Sequence, residues 1–94
     1  MTPLQEILHL IQEALRCRVA ASLEQHPALA VGCRQAGTVL LARADQIAAE
    51  TRPAVLHDRM GTGTVVGVDP AGCLTVDFDG PVCTIRPEHV QEPR

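Results

Sequence analysis

The residues of this 94-residue chain most able to do chemistry are four cysteines, Cys17, Cys33, Cys73 and Cys83, and four histidines, His9, His26, His57 and His89. Such side chains can ligate zinc or form a nucleophile–base pair. Their spacing argues for neither. No two cysteines stand in a C-x-x-C pattern, and the order of Cys and His along the chain matches no zinc signature. Cys33 falls on the apolar stripe of a predicted helix, where a free thiol behaves as a small hydrophobe. His9 lies in the middle of a polar helical face, and His26 precedes a proline in a turn. His57-Asp58 is the most chemical-looking dipeptide, with Arg59 following it. A small-ligand or enzymatic site at the junction of helices and sheet would be built on it, as a pocket with converging polar groups. Neighbours in sequence rarely align as a base and its orienter, so the simpler reading is that these residues begin a β-unit. No metal or other cofactor is expected.

Two further patterns are weaker. Gly61-Thr62-Gly63-Thr64 has the look of a phosphate loop, but it has no lysine partner and no following helix to offer a positive N-terminus. Its glycines read better as permitting a bend into a strand. Asp77 and Asp79 form a carboxylate pair, but they flank a turn, a common place for solvated Asp.

Composition narrows the function classes. The chain has no Lys, Trp or Tyr and one aromatic residue, Phe78. An aromatic cage for methylated side chains is therefore not available, nor is a stacking platform for single-stranded nucleic acid. Residues 1–57 balance five Arg against five acidic residues, whereas residues 58–94 hold three Arg against six. The acidic second half lacks the clustered cations that phosphate binding draws on. Nucleic acid is thus a disfavoured partner, with Arg16, Arg34, Arg43 and Arg52 as the surface that would serve it. A hydrophobic fraction of 46% is too high for a disordered chain. The longest apolar run falls far short of a membrane span, and the first apolar stretch is interrupted by Glu6, His9 and Glu13, unlike a signal peptide. The expected address is the cytoplasm, with the thiols reduced.

These residues must be positioned by two kinds of element. Thr2, Pro3 and Gln5 announce a helix start, with a T-x-x-Q capping box and proline in the first turn. Leu4, Ile7, Leu8, Ile11, Leu15 and Val19 then share one face, and Leu10, Ala14, Cys17 and Ala21 widen it. The apolar arc exceeds half the circumference, more than one packing partner requires. After a break at Glu24-Gln25-His26, a second helix opens at Pro27. Its stripe is Leu29, Cys33, Ala36, Leu40, Ala44 and Ile47, with a kink between Val31 and Gly37 left open. Pro53 ends it. The short connection makes the two helices antiparallel neighbours. Beyond Pro53 the period drops to 2. Thr64–Val68, Cys73–Phe78 and Val82–Arg86 read as strands, joined by turns at Asp69-Pro70-Ala71-Gly72 and Asp79-Gly80. Pro87 to Val90 reads as one helical turn. The fold expected is α+β: a helical hairpin over residues 1–53 and a three- to four-stranded antiparallel unit over 54–94, packed as one body.

Turn geometry sets the register. With Asp79 and Gly80 as the loop, Val76 faces Cys83 and Leu74 faces Ile85, so Cys73 and Cys83 lie on opposite faces and share neither a disulfide nor a metal. The preceding hairpin pairs Val65 with Val76 and Val68 with Cys73. Val66, Val68 and Cys73 then make a second apolar patch on the reverse face, of a kind monomers seldom leave exposed.

The stretch from His57 to Val90 resembles small bacterial SH3-like or Tudor-like β-barrels. The nearest patterns are the C-terminal Tudor-like segment of UvrD-like helicases and the RNA-polymerase-binding domain of CarD-like proteins. The shared elements are Gly61, Gly63, Thr64 and Val65, then a turn, then Val76 and Phe78, then a proline-led turn from Pro87 to Val90. The resemblance implies docking to a protein partner and carries no catalytic residue across. With room for only three or four strands, it leaves a sheet edge to be covered or paired. The leading expectation is a non-catalytic protein-interaction module working as a homodimer, with another protein as the other partner open to it. Its contact patch would be Val66, Val68 and Cys73 together with Leu10, Cys17 and Ala21. A nucleic-acid-associated accessory role and a site at His57 to Arg59 are the alternatives.

Overall fold

The computed structural model describes residues 1–93. Helix α1 spans Pro3–Leu23 and begins with the predicted box. The Thr2 hydroxyl accepts the Gln5 N–H at 3.2 Å, and the Gln5 side-chain oxygen accepts the Thr2 N–H at 2.9 Å. The same hydroxyl donates to the Glu92 carboxylate, fastening the helix start to the other end of the chain. Helix α2 spans Pro27–Thr51 without interruption, passing straight through Gly32 and Gly37. It ends at Arg52, whose left-handed backbone (φ 44°) returns its N–H to the Ala48 carbonyl just before Pro53.

The two helices form the expected antiparallel hairpin, but different residues fill its seam. On α2 the buried positions are Ala30, Gly37, Leu41, Ala44 and Ala48. Of the stripe read from sequence, only Ala44 is buried; Leu40 and Ile47 are half-buried and Leu29 is exposed. On α1 the seam takes Ala14 and Ala21, while Leu15 and Val19 turn outward. The cause is close approach. A Cβ on Gly37 would lie 3.2 Å from the Ala14 carbonyl oxygen and 3.6 Å from the Cys17 Cβ. Backbones this near admit only small side chains between them, so the bulky residues are displaced to the flanks.

Five antiparallel strands follow: β1 (Ala54–His57), β2 (Gly61–Val68), β3 (Leu74–Asp77), β4 (Val82–Ile85) and, after a 3₁₀ turn at Pro87–His89, β5 (Val90–Gln91). Their order in the sheet is β4-β3-β2-β1-β5. The three strands expected from alternation are present, and β1 and β5 are added to them. The β3–β4 register matches the turn argument, with Val76 opposite Cys83 and Leu74 opposite Ile85. Asp79 and Gly80 both adopt positive φ, as a tight two-residue connection demands.

The β2–β3 register holds at Val65–Val76 and then shifts: Val68 pairs with Leu74, where Cys73 was expected. A β-bulge between Val65 and Gly67 supplies the extra residue, Val66. One inserted residue reverses the facing of all that follow it. Val68 is therefore turned into the core, at 7% exposure, and the reverse-face patch loses it. Asp45 on α2 meets β2 just past this bulge, its Oδ1 accepting the Val68 N–H at 2.8 Å.

The core joins Leu4, Ile7 and Ile11 of α1, Leu41, Ala44 and Ala48 of α2, and Val55, Val65, Val68, Leu74 and Val76 of the sheet. The sheet thus lies over the first half of α1 and the second half of α2. Its uppermost contact is the Asp69–Gly72 turn. Asp69 closes that turn by accepting the Ala71 and Cys73 N–H groups, Arg18 donates to the Pro70 carbonyl, and a Cβ on Gly72 would lie 3.5 Å from side-chain carbons of Ile11 and Leu15. Beyond it the hairpin continues alone, giving extents of 45 × 24 × 23 Å.

Candidate functional site

Two places carry the residues singled out by type. The first is polar. His57, Asp58, Arg59 and His89 line a surface hollow of about 290 Å³ where β1 ends and the 3₁₀ turn returns. The His57 Nδ1 accepts the N–H groups of Arg59 at 3.1 Å and Met60 at 3.0 Å. With that lone pair engaged, a neutral ring carries its proton on Nε2. The Asp58 carboxylate, 3.4 Å from the same Nδ1, therefore meets an acceptor and not a donor. Its other oxygen lies 3.6 Å from the His89 Nδ1. The His57 ring stands edge-on to Phe78, with centroids 6.0 Å apart. None of the four lining residues is a Ser, Thr or Cys, so the hollow holds no hydroxyl or thiol for an imidazole to activate. His57 acts as the acceptor that closes the turn from β1 into β2.

That role makes a measurable difference between two substitutions. His57→Ala leaves both N–H groups to water and lowers stability by about 1 kcal/mol in urea unfolding. His57→Asn keeps a side-chain acceptor near the position of Nδ1 and loses less than half as much. Equal losses in the two variants would show that packing against Phe78, and not the hydrogen bonds, is what His57 contributes.

The four cysteines are free and half-buried. Among the described residues no group of three or more His, Cys, Asp or Glu side chains is placed to hold a metal ion.

The second place is apolar. Among the described residues nine large hydrophobic side chains are exposed; Val19, Leu23, Leu29 and Val31 belong to the end of the hairpin that overhangs the sheet, and Leu15 and Val39 stand level with the Asp69–Gly72 turn. On α1, Leu15, Val19 and Leu23 (41%, 58% and 76% exposed) recur every four residues, which aligns them in one row. Gln12, Arg16 and Ala20 border it. On α2, Val31 and Val39 lie among Arg34, Gln35 and Thr38. Arg16 is held by Glu13 of its own helix at 2.6 Å.

The contact patch expected from sequence is not gathered in one place. Ala21 is in the hairpin seam and Val68 in the core. Leu10 and Cys17 are half-buried on α1, and Val66 and Cys73 are half-buried on the sheet. The row that replaces them was not separable by periodicity, because the apolar arc of α1 is too wide to reveal which sector the neighbours cover. Small residues do not separate it either: Ala14, Ala21, Ala30, Gly37, Ala44 and Ala48 are buried, but Ala20, Ala28, Gly32, Ala36, Ala42 and Ala49 are exposed.

The chain is therefore an α+β protein in which an open five-stranded sheet carries an overhanging helical hairpin with an uncovered apolar end. Compared with protein-family models, with curated proteins and with solved structures, it gives no match. Among the described residues no helix is long and apolar enough to cross a membrane.

Proposed function

We propose that this chain is a non-catalytic protein-interaction module, with the overhanging end of the hairpin as its working surface. The observation that carries this reading is the segregation of exposed apolar side chains. Single exposed hydrophobics are ordinary on any protein, but a clustered set marks a contact surface. Here Leu15, Val19 and Leu23 form one row along α1, and it runs from the Asp69–Gly72 turn out along the segment that the sheet does not reach. The sheet serves as the anchor that holds the hairpin in place, through Asp45 just past the bulge and Arg18 at the Asp69–Gly72 turn. The proline-led 3₁₀ turn and the return of Val90 beside His57 bring the shared sequence elements into one sheet, which supports the likeness to SH3-like modules.

Photo-crosslinking in the cells that make the protein tests this. A photoreactive residue at position 19, 23 or 31 is expected to yield discrete protein adducts, and the same residue at Thr62 or Glu88 is not. Adducts arising from the polar hollow and none from the hairpin would return catalysis or ligand binding to the front.

A further inference from the structure

We infer that the occupant of the hairpin surface is a second copy of this chain, with the two α1 helices packed antiparallel across a two-fold axis at Val19. This rests on the interaction-module reading and narrows it to one partner. The first argument is area. The chain exposes 5898 Å², whereas a compact monomer of 10.1 kDa exposes about 5,300 Å². Its radius of gyration is 14.1 Å, against about 12 Å for a compact domain of this length. The surplus of roughly 600 Å² belongs to the chain as a whole, and the hairpin extending past the sheet is where it is exposed; it is smaller than the ~800 Å² that each partner contributes to a standard interface, which suits a dimer of micromolar and not tighter affinity.

The second argument is self-complementarity. A two-fold contact must present the same patch from both sides. The row Leu15, Val19, Leu23 is symmetric in spacing and nearly so in size about its centre. The axis sets Val19 against Val19 of the second copy, and Leu15 against Leu23. Rows of i+4 spacing interdigitate at a crossing of about 50°, and Ala20 beside the centre allows close approach. The third argument is charge. Arg16, the one ion bordering the row, is brought level with Ser22 of the second copy and not with its own counterpart. It is already paired with Glu13, so burial at the rim leaves no unmatched charge.

Sedimentation equilibrium of the full chain is expected to give a dimer in the micromolar range. Val19→Arg places two like charges at the axis and should raise the dissociation constant at least about 100-fold. At concentrations low enough for both proteins to be monomeric, its urea unfolding should have the wild-type midpoint, because position 19 is exposed and Arg suits a helix; at higher concentrations only the wild type should gain stability from association. Val82→Arg, an equally exposed change on β4, should leave the dimer intact. Val19→Cys, with the four native cysteines replaced, should oxidise to a self-disulfide. Leu15→Cys and Leu23→Cys should crosslink to each other when mixed. A wild-type monomer at all concentrations overturns the dimer. If the hairpin positions still photo-crosslink to a different protein, the module reading stands without it, and if they do not, both fall. A dimer that survives Val19→Arg overturns the assigned surface.

Discussion

Gly63→Ala is expected to lower the midpoint of thermal unfolding by roughly 10–20 °C, from a loss of about 2–3 kcal/mol. Gly63 sits in β2, opposite Val55 on one side, and beneath the side chains that reach over from β3. A Cβ there would fall 2.7 Å from the Val76 Cγ1 and 2.8 Å from two ring carbons of Phe78. Neither neighbour can move freely. Val76 is fully buried, and Phe78 is packed against the core and meets the His57 ring. The glycine is thus the floor on which the chain's only aromatic side chain rests. Combining Gly63→Ala with Phe78→Leu should recover part of the loss, because a smaller side chain frees the space. An unchanged midpoint for Gly63→Ala would mean that this layer repacks without cost, against the close packing on which the expectation depends.

Asp45→Ala should cost about 1–3 kcal/mol, a large effect for a surface aspartate. Its Oδ1 is the acceptor for the Val68 N–H just past the bulge, in a part-buried hydrogen bond. Asp45→Asn keeps an acceptor oxygen and should lose much less. The same oxygen lies 2.9 Å from where a Cβ on Gly67 would stand, so Gly67→Ala can be accommodated only by pushing the carboxylate away from Val68. The two changes must therefore be coupled. In the Asp45→Ala background the added methyl has nothing to displace, and the double variant should be more stable than the sum of the single losses predicts, by at least about 0.5 kcal/mol. Strict additivity in denaturant titrations would falsify the assignment of Asp45 to the Val68 N–H.

The bulge also shows where reading from sequence stops. Thr64 to Val68 breaks strict alternation at Val65-Val66 and carries Gly67, a residue often found at bulges, but neither feature says which residue will be left unpaired. Past the bulge the Val68 N–H is taken up by a carboxylate 23 positions earlier in the chain, and Val68 passes from an expected outer patch to the core. The same holds for α1. Its apolar arc was visibly too wide for one neighbour, so the surplus was legible. Its location was not: Leu10, Cys17 and Ala21 were expected to carry it, and Leu15, Val19 and Leu23 do. Which sector is left bare depends on how far the sheet extends along the hairpin, and the Asp69–Gly72 turn marks that limit, held there by the bond from Arg18 to the Pro70 carbonyl.

What the sequence determined by itself is what acts over a few residues. The capping box at Thr2, the stop before Pro53, the change of period from helix to strand, the two turns and the Val76–Cys83 register all follow from local backbone preference and side-chain alternation. Only the tertiary structure decided what depends on distant partners. These are the alanine–glycine seam, the pairing of β1 with β5, the engagement of the His57 lone pair and the apolar end of the hairpin left uncovered. Local preferences are encoded in neighbouring residues. Burial is settled by whichever surfaces meet once the chain has closed on itself, and one inserted residue or one close helix crossing is enough to redistribute it.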